Sequence, residues 1–210
     1  MYDWIYKFKW KWWQLKTKYF YRLFLGSIGN RSTICRPMYL AHLENMYFGS
    51  HVRIREFARL ETIVEYNDQK FSPTLKVGND VGFEQGLHMV CAESIVIGSD
   101  VTVSAYVMIM DCGHNYDDIK TNVINQTLST LPVVIGDGCF IGLGARIMPG
   151  THLGQHCSVG SNAVVTGGAW KDYSVLVGCP AYCVKRYDVT QGIWKKTDKK
   201  GEFLDECRQN

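Results

Sequence analysis

No stretch of 18 uncharged apolar residues occurs in this 210-residue chain, so the sequence offers nothing that crosses a bilayer as a helix. The aromatic N-terminus also lacks the apolar run and small-residue cleavage site of a secretory signal, which makes the cytoplasm the expected location. Strong charge is missing too. A net charge of +3 without a basic motif argues against a nucleic-acid partner. The eight cysteines lack the paired spacing of zinc or redox sites and read as reduced thiols.

What is present is a six-residue rhythm. Its clearest run is Ile135, Ile141, Ile147, Leu153, Val159 and Val165, with Cys139, Ala145, Thr151, Cys157 and Ala163 four places after successive members. Neither a helix nor an alternating strand produces a strict period of six, whereas a solenoid buries one side of each short repeat against its neighbours. Three such hexads close one triangular coil, with the aliphatic residue pointing inward and the small residue near a corner. The same frame holds for Val77/Val81, Phe83/Leu87, Ile97/Val101 and Val103/Val107, and more loosely for Phe48/Val52 and Ile54/Ala58. Gly78, Gly98, Gly136, Gly142, Gly154 and Gly160 each follow an inward aliphatic, where glycine is expected to relieve a tight turn. Cys139 and Cys157, one coil apart at the small position, are expected to pack as small hydrophobes. The period leaves handedness open, although general connection rules favour a right-handed coil.

Two segments break the rhythm, and a solenoid grows its sites on such loops. One is the polar insertion Glu61–Thr74; the other, Asp111–Pro132, leaves the coils after Ile109, re-enters at Val133 and carries His114, Tyr116, Asp117 and Asp118. Residues 1–27 form an aromatic and basic extension. As a helix it aligns Trp4, Phe8, Trp12, Leu15, Tyr19 and Leu23 on one stripe, although the early aromatics also alternate as in a strand. Two roles are open and compatible: a cap or trimer contact over the solenoid's open end, and peripheral membrane contact through residues 1–25. Residues 28–185 are expected to be the solenoid domain. Residues 186–210 form a charged tail that either packs back as a short helix or stays mobile.

The hexads, the loop opening D-C-G-H, the re-entry I-G-D-G-C-F-I-G-L-G-A-R-I-M-P-G and the closing V-G-C-P-A-Y-C-V-K together resemble the hexapeptide-repeat acetyltransferases. Within that family the chain is most similar to the branch that O-acetylates sugars of lipopolysaccharide and capsule, alongside the maltose and galactoside enzymes. The resemblance implies an all-β fold, a left-handed parallel β-helix, a homotrimer with sites between subunits, acetyl-CoA as donor, a carbohydrate acceptor and no metal.

A sugar hydroxyl needs a base to accept its proton as it attacks a thioester, and an imidazole titrates near the working pH. The resemblance implies that His114 is this base. His88, in the coil before the loop, is a lesser candidate for the same cleft. Glu84 stands where relatives carry an acceptor-site asparagine, and Glu84, Asp111 and Asp117 all remain open as the group that orients His114. Backbone donors for the oxyanion are implied in the Gly142 to Ala145 region, with Gly144 the expected contact. Phe140 replaces a tryptophan of the donor channel or merely covers a coil face. The basic positions expected near the coenzyme phosphates are Gly167 and Tyr182 here, leaving Lys171, Lys185 and Arg186 as substitutes. Cys112 is either a reactive thiol or a filler.

Other functions stay in play. One is N-acetylation of a nucleotide-linked amino sugar, and another is a non-catalytic binding scaffold. A zinc carbonic anhydrase on this fold would need a second histidine close to His114, and Ile109–Ile119 contains none.

Overall fold

The computed structural model describes residues 2–204. Along them the chain winds into a left-handed parallel β-helix with three flat faces. The period of six is built into its register. Ile135 pairs with Leu153, Ile141 with Val159 and Ile147 with Val165, so each inward aliphatic sits above the one 18 residues earlier on the same face. These six side chains are buried, as are Cys139, Ala145, Thr151, Cys157 and Ala163 between them. The right-handed rule for parallel crossovers does not apply here, because it depends on a strongly twisted strand feeding a helix that packs back on one sheet. In this chain the crossover is two further short strands.

The first face stacks strands from Ser27–Ile28 to Gly168–Trp170, the second from Thr33–Ile34 to Ser174–Gly178, and the third from Tyr39–Ala41 to Val164–Val165. One continuous aliphatic core fills the prism.

The glycines that follow inward aliphatics serve a different purpose from the one expected. None of Gly78, Gly98, Gly136, Gly142, Gly154 and Gly160 is among the positive-φ residues. Their constraint is the next coil: a Cβ on Gly136 would lie 2.7 Å from the Gln155 amide nitrogen. The left-handed conformation belongs instead to the residue just before each small inward position, as in Gly138, Gly144, Gly150, His156 and Asn162.

The N-terminal extension forms helix α1, Tyr2–Tyr19. Thr17 ties it to the end of the solenoid by accepting the Ile34 amide at 2.9 Å while donating to the Trp13 carbonyl at 2.8 Å. Tyr21 and Leu25 then enter the core, so this segment covers the first coil. Polar capping of an open end is a general need of solenoids.

The charged C-terminal segment is neither helical nor loose among the described residues. Ala181–Asp188 runs antiparallel to Ser174–Gly178, and Ile193–Lys196 adds the edge strand of the second face. Lys185 lies over the Trp194 ring and Arg186 over Phe203, so these two rings hold the segment through cation–π contacts.

Candidate active site

Both insertions leave the prism at one corner, where the third face passes to the first. Glu61–Thr74 folds as a hairpin, pairing Glu65–Tyr66 with Gln69–Lys70. The longer loop pairs Cys112–His114 with Leu128–Thr130 antiparallel and carries a short turn at Val123–Asn125. The hairpin clamps the loop. Gln69 donates to the Leu128 carbonyl at 3.1 Å and accepts the Leu128 amide at 2.6 Å, and Asn67 donates to the Gln126 carbonyl at 3.0 Å.

This clamp positions His114. Tyr66 Oη lies 3.3 Å from His114 Nδ1 and donates its proton to the Ile124 carbonyl at 2.6 Å. A phenol has one proton to give, so toward His114 the oxygen can only accept. Nδ1 therefore carries the ring hydrogen and Nε2 keeps its lone pair, a tautomer assigned from the hydrogen-bond network. The rings meet edge to face, with centroids 5.3 Å apart.

His114 and Tyr66 border a cavity of about 380 Å³ whose walls include Tyr39, Arg59, Glu61, His88, Met110 and Leu128. His88 thus joins His114 in one cleft. Burial, then the nearby Arg59 charge, hold its pKa below the ordinary imidazole value, against an opposing effect of Glu61. Arg59 is itself paired with Glu61 and sits over the Tyr39 ring.

Asp111 does not orient His114. It is fully buried, and its carboxylate accepts the amides of Ala92, Glu93 and Ser94 at 2.7, 2.9 and 2.7 Å, with the Cys91 thiol at 3.3 Å. These bonds pin the corner of the preceding coil, beneath the point where the loop departs. Asp117 is exposed farther out on the loop. Cys112 is a filler: burial first, and then Asp111, push its thiol pKa up to about 12.

The remaining candidates lie on other edges of the prism. Glu84, 3.8 Å from Arg55, lines a separate cavity of about 570 Å³ on the second face, with Trp10, Arg31, His51, Arg53 and Asp80. Phe140 is exposed on that face, in register with Thr102 and Ser158. Gly142, Gly144 and Ala145 turn the corner from the second face to the third. Their amides are already given to the carbonyls of Val159, Ala105 and Gly142. Gly144 is therefore not the free donor. Among the described residues the amide without a partner in this turn is Leu143. Lys171 is bound to Glu202 at 2.6 Å, and Lys185 is engaged with Trp194. No group of three or more histidine, cysteine or acidic side chains is placed to hold a metal among the described residues.

Within one chain, then, His114, His88 and Tyr66 border one cleft, whereas Glu84 lines a separate cavity and Phe140 and the Leu143 turn lie at the second face and its corner. Nothing in the hexad period brings Tyr66 to His114. The usable signal was the frame itself, which puts both insertions after a third-face strand.

A family profile described as the hexapeptide repeat of succinyl-transferase matches residues 132–167. WbbJ of Escherichia coli K12, named for lipopolysaccharide biosynthesis O-acetyl transfer, is 29% identical over 191 residues, covering 87% of this chain and 89% of that protein. Rv3034c of Mycobacterium tuberculosis, named as an acetyltransferase, is 41% identical over 91 residues, or 43% of this chain, and that match spans only 30% of the mycobacterial protein. Among solved structures, a variant of the N-acyltransferase AntD from Bacillus cereus, bound to dTDP-4-amino-4,6-dideoxyglucose and coenzyme A, has a TM-score of 0.65 at 14% identity, covering 83% of this chain and 90% of that one. The hexapeptide-repeat acetyltransferase VCA0836 of Vibrio cholerae, bound to acetyl-CoA, has a TM-score of 0.57 at 17% identity, with 86% of each chain covered. In its repeat and in its relatives this chain is similar to the hexapeptide-repeat acetyltransferases.

Proposed function

We propose that this protein transfers the acetyl group of acetyl-CoA to a sugar hydroxyl of a cell-surface glycan, or of its lipid-linked precursor, with His114 as general base. The observation that carries the reading is the tautomer lock, in which Tyr66 accepts from Nδ1 and leaves the Nε2 lone pair available on a ring that borders the cavity. Support for a sugar O-acetyl acceptor comes from the near full-length similarity to WbbJ.

In this mechanism Nε2 removes the hydroxyl proton as the sugar oxygen forms a bond to the thioester carbonyl carbon. The carbonyl electron pair moves onto oxygen, giving a tetrahedral oxyanion that the Leu143 amide stabilises. On collapse the carbon–sulfur bond breaks, and the imidazolium returns its proton to the departing thiolate. Products are the acetyl ester and free coenzyme A.

The two half-sites are joined in a homotrimer, where the cleft holding His114 faces the edge of a neighbouring chain bearing Glu84, Phe140 and Leu143. A symmetric ring of heterologous contacts requires such a pairing of unlike surfaces. N-acetylation of an amino sugar is the second reading, supported by the similarity to AntD.

The test is release of coenzyme A thiol from acetyl-CoA across a panel of sugars offering either hydroxyls or amines. Activity confined to amines would replace the first reading by the second. His114→Ala retaining the wild-type kcat on an identified acceptor would overturn both mechanisms.

A further inference from the structure

Helix α1 presents two opposed faces. The inner one, around Trp13 and Thr17, rests on the first coil, where Thr17 holds the Ile34 amide. At 100° per residue, Trp4, Phe8, Trp12, Leu15 and Tyr19 fall within about 80° of one another on the opposite side. They are exposed: Trp4 is 73%, Phe8 64% and Trp12 58% accessible, and Leu23, just beyond the helix, reaches 76%. Trp4 and Phe8 stack on each other, with centroids 6.2 Å apart, rather than on the body of the protein.

Charge surrounds this stripe in a definite pattern. By the same helical geometry, Lys7, Lys11 and Lys18 follow one edge and Lys9 follows the other. All four are exposed. An apolar stripe of tryptophan, phenylalanine and leucine between two basic margins matches an anionic lipid surface, with the rings at headgroup depth and the ammonium groups at the phosphates. A protein partner would also cover apolar side chains, but it would not ask for lysine on both margins and no exposed acid between them. The helix cannot insert across a bilayer, because no helix among the described residues is long and apolar enough to do so. It can lie in the interface plane, since the stripe points away from the coils.

We infer that the outer face of α1 is a membrane-docking surface selective for anionic phospholipid, which holds the open end of the solenoid against a bilayer. The inference stands apart from the acyl-transfer chemistry.

The experiment is vesicle flotation of the full chain at low and high salt. One set of vesicles is pure phosphatidylcholine and the other contains about one-third phosphatidylglycerol. Binding to the anionic vesicles should exceed binding to neutral ones by at least about tenfold, and should fall with salt. Two variants separate the contributions. Phe8→Glu with Trp12→Glu removes the stripe and should abolish flotation. Lys9→Glu with Lys11→Glu keeps the stripe and should remove the preference for anionic lipid. Light scattering and a thermal melt accompany each, and both should match wild type, because these side chains face away from the core. Absence of flotation by wild type overturns the proposal, as does flotation that survives Phe8→Glu/Trp12→Glu. A fall in assembly mass of that variant, with no wild-type flotation, identifies the stripe as a contact between copies of the chain and overturns it equally.

Discussion

Tyr66 Oη lies 3.3 Å from His114 Nδ1, although 48 residues separate them in the chain. The pairing joins the two interruptions of an otherwise regular solenoid, and it gives Tyr66 a positioning role that the proposed reaction requires. Tyr66→Phe keeps the ring contact but loses the acceptor for Nδ1–H. Its kcat should fall about tenfold with KM for acetyl-CoA unchanged, since groups that orient a reactive imidazole typically contribute a factor of this order. His114→Ala should fall about a hundredfold or more, the usual range for a general base. Steady-state kinetics of the two variants on one acceptor checks the order. A Tyr66→Phe enzyme with wild-type kcat would remove Tyr66 from the mechanism.

Asp111 belongs to the scaffold, and the distinction is measurable. Removing its carboxylate leaves the three amides of the Ala92–Ser94 corner without their acceptor, the Ala92 amide fully buried among them. Unsatisfied buried donors are costly, and Asp111→Ala should lose about 3 kcal/mol or more of stability. Denaturant unfolding reads this directly. Asp111→Asn keeps one acceptor oxygen and should lose less. If Asp111→Ala melts as wild type yet has no activity, the residue is catalytic and the structural assignment fails.

Much of the fold was legible because a period of six over three faces admits few architectures. Ile135, Ile141 and Ile147 each mark a face, and the register of Leu153, Val159 and Val165 above them follows from counting. The reason for the glycines was less legible: Gly136 reads as a turn residue, yet it is required by the approach of the Gln155 backbone from the next coil. His114 was visible only through resemblance to a family. Tyr66 was hidden because hairpin and loop carry no shared period, and their contacts arise from side chains such as Gln69 and Asn67 reaching loop carbonyls. The tail beyond Lys185 reads as a short helix or a mobile end because its strands are anchored by cations over Trp194 and Phe203, which hydrophobic patterning does not register.

The thiols supply a pH prediction. Cys112 is buried, and its pKa is pushed from 9.0 up to about 12, chiefly by desolvation. Iodoacetamide at about pH 8 should therefore modify exposed Cys179 and spare Cys112 until the protein is unfolded, as peptide mass spectrometry would show. The linkage has a definite sign. Folding favours the neutral thiol, so this contribution is complete below 9.0 and is lost as pH rises from there to about 12. Rapid labelling of Cys112 in the native protein would mean that the loop base opens.

The proposed sharing of a site between two edges predicts complementation between inactive chains. His114→Ala and Glu84→Ala alter different cavities, because Glu84 lines the second-face cavity and His114 the third-face corner. If each site is shared by neighbouring chains, mixed trimers contain some sites in which an intact His114 meets an intact Glu84. Random assembly of equal amounts should restore about one quarter of wild-type activity. The measurement is coenzyme A release after co-expression of the two variants, with each expressed alone as a control. Should Glu84→Ala alone be fully active, Glu84 has no part in the reaction. If both variants are inactive and the mixture stays inactive, each site is built within one chain, and a movement would be needed to bring the second face to His114. Recovery near one quarter would instead explain why a single chain keeps its base and its acceptor-side carboxylate in separate cavities.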